Sequence, residues 1–550
     1  MKLRNTTDRY YLIFVCLVFI LLIIGLGSYG FAETSEARYS EISREMFLSG
    51  DYLNPQLLGI FHFHKPPITY YITTLGYRIF GINEFGARFF IQVAIVLQLL
   101  TVYGLAKLLF NNRKTAFLSG LIYFAMPIVL ISSRNLTTDA FLTTIIMAAI
   151  YCWQIYICKR KIIFLYLFYS LVGLALLTKG PVALLFILAY IVTYKLIFKI
   201  GSKVSMHHIF GVILCISIGS SWYLLVLWEN PILWSYFLKE QLLSRINSNS
   251  YNRAKPFWFY LPIVLALLLP WWLSIIPNFK NKIKSLTNQT KEAQLLLISS
   301  SVLLVLFSVF STKLILYILP LFWMVAIYLG YQLVNISQIS RKIISVTYLG
   351  LISLIFLSLF GFWIIQPDFI NISSYTMVIA LLTTLFALAT NYYVENEKKY
   401  KPAVIAAVFG MAILLVSTSV LNTNSSIINS TKEMMHFVNT ASCKKNKKVL
   451  VYDYLLSSIP FYTNAKQITL KLNHNTTNRE IQFQKNLNWT EGLWDLNDQA
   501  KINELVKISS KENTYLLVRK RDGQSNNLVF LRDKFNNNKE FPKWVIYYNN

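Results

Sequence analysis

Two lysines mark the places where chemistry is first legible in this sequence. Lys65 stands in Lys65-Pro66-Pro67, and Lys179 in Thr178-Lys179-Gly180-Pro181. Both lie at the edge of apolar runs, and Arg245, Arg253 and Lys313 occupy comparable places further along. A cation at the hydrocarbon boundary costs roughly 1–3 kcal/mol when it cannot snorkel. Several on one side of a membrane point to a shared anion. Lys65, Lys179, Arg245 and Lys313 are therefore candidates to cradle a phosphate leaving group, because fixed positive charge stabilises the charge that develops there. The acids of the same loops are Glu33, Glu36 and Asp139. They are suited to orient or deprotonate an acceptor, or to bind a divalent metal through carboxylate oxygens.

Each residue also has a plainer reading. Asp139 opens an apolar run, where an acid complements the helix dipole. Lys179 ends one and can snorkel. Pro66 and Pro67 suit a first helical turn. Glu41 lies three residues from Arg38 and from Arg44, a spacing for helical ion pairs, and His62 reads as a surface histidine. The combination on one face is what argues for a reaction between a membrane-borne phosphate and a second molecule.

The elements that must position these groups are membrane helices. The chain has 550 residues, of which 55% are hydrophobic and 14% charged. Its apolar residues come in nearly charge-free runs such as Tyr11 to Gly30, Ile209 to Trp228 and Ile343 to Ile365. Such runs match a hydrocarbon core of roughly 30 Å at about 1.5 Å per residue. Lipid offers no hydrogen bonds, so they must be helical. About thirteen spans are expected within residues 1–421. The Tyr11 to Gly30 run is too long for an ordinary signal core and reads as the first span.

Loop charge orients them. Lys2, Arg4 and Arg9; Arg113 and Lys114; Lys159, Arg160 and Lys161; and Arg341 and Lys342 fall in one alternate set of short loops. That set is cytoplasmic by the positive-inside rule. Much of the net charge of +27 lies there, so it does not argue for nucleic acid. The other set includes two long outer loops, 31–86 and 229–256, and holds the candidate residues. Glu36 to Leu48 and Pro66 to Phe80 read as helices lying in the interface. The five cysteines, Cys16, Cys152, Cys158, Cys215 and Cys443, offer neither a disulfide framework nor metal spacing.

Residues 422–550 are polar, rich in Asn and Lys, and lack any span. Lys448 to Tyr454, Thr514 to Arg519 and Leu528 to Leu531 read as strands, and Asp498 to Ser509 as a helix. The fold class expected is an α-helical polytopic membrane protein with a small C-terminal α/β domain.

The string Glu36-Ala37-Arg38-Tyr39-Ser40-Glu41-Ile42-Ser43-Arg44-Glu45-Met46 followed by Ser49-Gly50-Asp51-Tyr52 is specific. So is Lys65-Pro66-Pro67 with Tyr70 and Tyr71 behind it. Less specific are Leu136-Thr137-Thr138-Asp139, Thr178-Lys179-Gly180, Arg253-Ala254-Lys255-Pro256-Phe257-Trp258, and Lys313 with Tyr317 and Pro320. Together they resemble the multi-spanning bacterial glycosyltransferases that use polyprenyl-phosphate sugars. The likeness is to the lipid A aminoarabinose transferase family, related to protein O-mannosyltransferases. It implies a GT-C-type membrane domain and an outer, periplasmic C-terminal domain in a bacterial inner membrane. It also implies that Lys65, Lys179 and Arg253 or Arg245 hold the lipid phosphate. Arg38, Tyr39 and Tyr70 would shape the donor site, and Asp139, Lys313 and Tyr317 would line the same cavity.

Two departures from the family pattern stand out. The Asp customary before the Glu is Ser35 here, and the Glu customary before the Lys is His64. Glu33 is the candidate to replace the first. His64 is a candidate metal ligand, since imidazole commonly serves as one. A lipid A phosphate acceptor is already an anion and needs positioning more than deprotonation. The expected reaction is sugar transfer from undecaprenyl phosphate to lipid A, with transfer to protein hydroxyls or another glycan as the rival. A transporter is the rival of another class, but no internal repeat is visible.

Overall fold

A computed structural model describes residues 6–33, 35–201, 205–243, 254–278, 289–395, 399–441, 446–472, 481–484, 487–522 and 529–549. Among the described residues ten helices are long and apolar enough to cross a membrane. A pair of helices, Arg113–Ala125 and Pro127–Ser133, is apolar enough when taken together but is bent by 62°. The bend has a local cause. Pro127 lacks an N–H, and the residue before a proline is pushed out of the helical region. Met126 accordingly sits at φ −68° and ψ 123°. The other two expected spans are shorter apolar helices, Val182–Phe198 and Phe257–Leu267. The second ends at Leu267, and a separate short helix, Leu269–Leu273, follows with Pro270 in its first turn.

The chain forms two compact units. The first comprises Met1–Leu26, Phe89–Gln366 and Ile372–Ser419 and contains most of the apolar helices. Close approach between its helices relies on small residues. Gly120 lies against the Tyr11 ring, and Gly330 against Ser119. Buried polar groups are paired inside it. Tyr123 donates to Gln98 Oε1 at 2.7 Å, and Gln98 donates on to the Ala140 carbonyl at 2.9 Å.

The second unit comprises Gly27–Arg88, Pro367–Asn371 and Val420–Asn550. It contains helices Ser35–Ser49 and Ile68–Phe80 of the first long loop. Between them strands β1 (Gln56–Leu57) and β2 (Ile60–Phe61) form a small hairpin. Its turn residues Leu58 and Gly59 have φ of 56° and 73°. Two successive positive φ values match a two-residue hairpin turn, which favours glycine at its second position. Leu58 tolerates the first because Glu45 accepts its N–H at 2.6 Å and that of Gly59 at 3.1 Å.

The C-terminal part of this unit is a six-stranded mixed sheet. Its strands are β3 (Lys448–Tyr452), β4 (Lys466–Lys471), β5 (Leu493–Asp495), β6 (Thr514–Arg519), β7 (Asn537–Glu540) and β8 (Trp544–Tyr548). The spatial order is β5-β4-β3-β6-β8-β7, and β3 runs parallel to both neighbours, with Leu450 opposite Ile468 and Leu516. Parallel strands are covered on both faces. Val449 and Val451 join one apolar cluster with Met435 and Trp544, while Leu450 and Tyr452 join another with Leu505 and Leu531. Two sequence expectations need correcting. The first strand ends at Tyr452, and Asp453 turns out of it with φ 41°. The stretch expected as a strand at 528–531 holds a short helix, Val529–Arg532, because a short apolar run does not by its period distinguish the two.

Candidate active site

In the first unit the structure brings together Asp139, Lys179 and Tyr317. Asp139 lies in the first turn of helix Thr138–Lys159. Lys179 is the last residue of helix Ile162–Lys179, which stops because Gly180 takes φ 79°. The ammonium of Lys179 donates to an Asp139 carboxylate oxygen. Both side chains are largely buried, at 8% and 9% exposure. The same ammonium sits 4.2 Å from the centre of the Tyr317 ring, a cation–π distance.

Lys313 lies nearby in sequence to Tyr317 but is held differently. Its ammonium donates to the carbonyls of Lys255 (2.9 Å) and Phe310, and burial pulls its pKa down. Ala254 bridges Thr312, and the Lys255 N–H bonds the Ser311 carbonyl at 3.1 Å. Lys313 therefore pins the end of the second long loop to the start of the Tyr317 segment. Tyr260 adds a bond from its hydroxyl to the Leu314 carbonyl at 3.0 Å. Arg245 and Arg253 lie outside the described residues.

The second unit holds the remaining candidates. Glu36 is fully buried and receives Nε and Nη2 of Arg88 at 2.8 and 2.9 Å. It also accepts the Ala32 N–H at 3.0 Å. Arg88 goes on to the carbonyls of Tyr29 and Gly30, each at 2.9 Å. Glu33 accepts the N–H of Ser457 (3.2 Å), the N–H of Ser458 (2.9 Å) and the Ser458 hydroxyl (2.6 Å). Burial raises its pKa against the pull of those donors and of Arg38. Both carboxylates thus face donors of the protein itself. Arg88 was not among the residues singled out from the sequence. Its signal was a guanidinium four residues into an apolar run, where a charge is rare without a partner.

Tyr70 is buried with Ile42, Met46 and Leu57, and its ring lies 5.8 Å from that of Tyr39. Arg38 is half-buried, and among the described residues its Nε has no hydrogen-bond partner. Such orphaned buried donors are uncommon and call for an acceptor. Lys65 lies half-buried in the turn that leads into helix Ile68–Phe80. His64 beside it stacks on His62, with ring centres 4.0 Å apart. Among the described residues no three His, Cys, Asp or Glu side chains gather closely enough to hold a metal ion. Among the described residues His64 thus has no metal-ligand set around it.

Residues 64–224 match the family model described as dolichyl-phosphate-mannose-protein mannosyltransferase. An undecaprenyl phosphate-α-4-amino-4-deoxy-L-arabinose arabinosyl transferase of Proteus mirabilis is 30% identical over 323 residues, 58% of each chain. The corresponding transferase of Photorhabdus laumondii is 32% identical over 295 residues, 52% of this chain and 53% of its own. The matched stretch thus spans a little over half the length of these relatives. The crystal structure of ArnT from Cupriavidus metallidurans bound to undecaprenyl phosphate superposes with a TM-score of 0.77. It covers 99% of this chain and 98% of that one at 19% identity. The fold is that of ArnT. The chain is also similar in sequence to the arabinosyl transferases over a little more than half its length, and the family model's match includes Lys65, Asp139 and Lys179. It is a polytopic membrane protein, as its ten long apolar helices and this ArnT fold require.

Proposed function

We propose that this chain is a glycosyltransferase that moves a sugar from undecaprenyl phosphate to lipid A at the outer face of the bacterial inner membrane. The observation that carries it is the buried Lys179, held between Asp139 and the Tyr317 ring. It supplies a fixed positive charge at the end of an apolar helix, where a lipid-linked phosphate can reach it. The similarity to arabinosyl transferases supports the donor class.

The step is a displacement at the anomeric carbon. An oxygen of the lipid A phosphate forms the new bond from the face opposite the leaving group. The bond from the anomeric carbon to the undecaprenyl phosphate oxygen breaks, and its electron pair leaves with that phosphate. Lys179 stabilises the charge that builds there. Asp139 orients Lys179. The nucleophile is already an anion and needs no base, so Glu33 and Glu36 are positioning residues that fix the first long loop. An amino sugar on lipid A lowers its negative charge and weakens cationic-peptide binding.

Mass spectrometry of lipid A from a deletion strain tests the acceptor. Loss of an added sugar, restored by the wild-type gene and not by Lys179→Ala, is expected. An unchanged lipid A spectrum overturns the reading and leaves a protein or glycan acceptor. Transfer by the purified protein without any ion gradient separates an enzyme from a transporter.

A further inference from the structure

The C-terminal part of the second unit carries a pocket that the reaction above does not use. It is an open cavity of about 440 Å³ lined by Tyr454, Arg519, Lys520, Arg521, Lys543 and Trp544. Small-molecule sites generally occupy about 300–1,000 Å³ and combine apolar walls with a few placed polar groups. The walls here are aromatic. Tyr454 and Trp544 meet edge to face, with ring centres 5.5 Å apart.

The rest of the lining is cationic and held in place. The Arg519 guanidinium lies 4.6 Å from the centre of the Tyr454 ring, while its Nε pairs with Asp522 at 2.5 Å. Lys520 pairs with Glu540 at 2.7 Å. Lys543 bonds the Ser426 carbonyl at 2.8 Å and keeps further N–H donors. Trp544 is fixed by the Asn429 side chain at 3.4 Å. Arg521 is the most open of the four, with its side chain 73% exposed and Asp522 at 3.7 Å. Four cations face two acids, so the pocket keeps a net positive charge. Glu433 lines the adjoining groove, beyond Lys543.

Arginine and lysine donors recognise phosphate oxygens. The half-buried Tyr454 offers an apolar ring with a polar edge, backed by the buried Trp544, against which a sugar ring can lie. We infer that this pocket binds a phosphorylated saccharide headgroup, the phosphate on Arg521 and Lys543 and the ring against Tyr454. Taken with the transferase reading, on which this part rests, such a head occurs in two reactants, the acceptor and the sugar-phosphate end of the donor. The pocket would then select a reactant by its head.

The test uses the full-length protein in detergent, titrated by calorimetry with glucosamine 1-phosphate, glucosamine and inorganic phosphate. Glucosamine 1-phosphate is expected to bind at least ten-fold tighter than either fragment. Lys543→Gln and Arg521→Gln, both at exposed positions, are each expected to weaken it about ten-fold with an unchanged melting temperature. Lys179→Ala is expected to leave it bound. Equal binding of inorganic phosphate, or indifference to both pocket variants, overturns the inference. So does loss of binding in Lys179→Ala alone, which would place the ligand among the membrane helices. The titration stands even if the wild type transfers no sugar, so failure of one reading is distinguishable from failure of the other. Where transfer is seen, a rise in KM for the acceptor in Lys543→Gln identifies the acceptor head as the occupant, and a rise for the donor identifies the donor.

Discussion

A lysine and an aspartate buried against each other seldom stabilise a fold more than an apolar pair of similar volume. The Asp139–Lys179 pair is therefore best explained by chemistry, and substitutions can separate the two roles. Lys179→Ala leaves Asp139 uncompensated and should lower stability by about 3–5 kcal/mol, seen as a fall in melting temperature. The double variant Lys179→Met with Asp139→Leu should recover most of that stability and none of the transfer. Asp139→Asn should keep the fold and reduce turnover about 100- to 1,000-fold, the scale of losing one oriented electrostatic group. Full activity in the double variant would show the pair to be structural only. At Glu33 the expectation is the reverse. Glu33→Gln presents an amide N–H₂ to donors, so stability should fall by about 1–3 kcal/mol, while kcat in the surviving folded fraction should change little. A kcat collapse at unchanged melting temperature would instead make Glu33 the working acid.

The helix–hairpin element of the first loop should respond to pH. Glu45 caps the β1–β2 turn, and burial together with the neighbouring Glu41 pushes its pKa up to about 8 from 4.5. A carboxyl whose folded pKa lies above its unfolded one takes up a proton on folding. Its favourable contribution is full below about pH 4.5 and is lost as pH rises through about 8. Burial shifts Glu33 the same way. Thermal melting should therefore fall between pH 5 and pH 8, and Glu45→Gln should flatten that slope. A melting temperature that rises over the same window would contradict this.

At the same scale some elements were legible in the sequence and some were not. Apolar runs marked the helices because hydrocarbon thickness sets their length. The bend before Pro127 was not expected, because the apolar run continues through the proline. Strand β7, Asn-Asn-Lys-Glu, is exposed along its whole length and carries no apolar alternation, so only its pairing with β8 makes it a strand. Individual charges at helix ends could be picked out. That Asp139 meets Lys179, 40 residues on, could not, because local pattern carries no information on which helix ends meet.

Across the whole molecule, the first long loop and the C-terminal sheet belong to one unit. The Phe31 N–H bonds the Tyr462 hydroxyl at 2.9 Å, and the Phe31 ring meets Phe461 at 4.7 Å. Lys432 pairs with Glu84 at 2.8 Å. Removing residues 424–550 should thus disorder the first loop and abolish transfer, although no candidate for the chemistry lies in the deleted part. Limited proteolysis would show new cleavage between residues 31 and 66. Unchanged protection there would contradict this account. None of these pairings was visible beforehand, since the partners of Glu33 lie 424 and 425 residues away.

That same separation sets a clock. Glu33 is synthesised 424 residues before Ser457, and at about 5–20 residues per second that is roughly 20–85 s. Throughout this interval a buried-type carboxylate and the rings around it have no mate. The newborn loop is exposed to proteases and to mispairing for longer than most small domains take to fold, so yield in the cell should depend on elongation speed and on whatever shields the loop meanwhile.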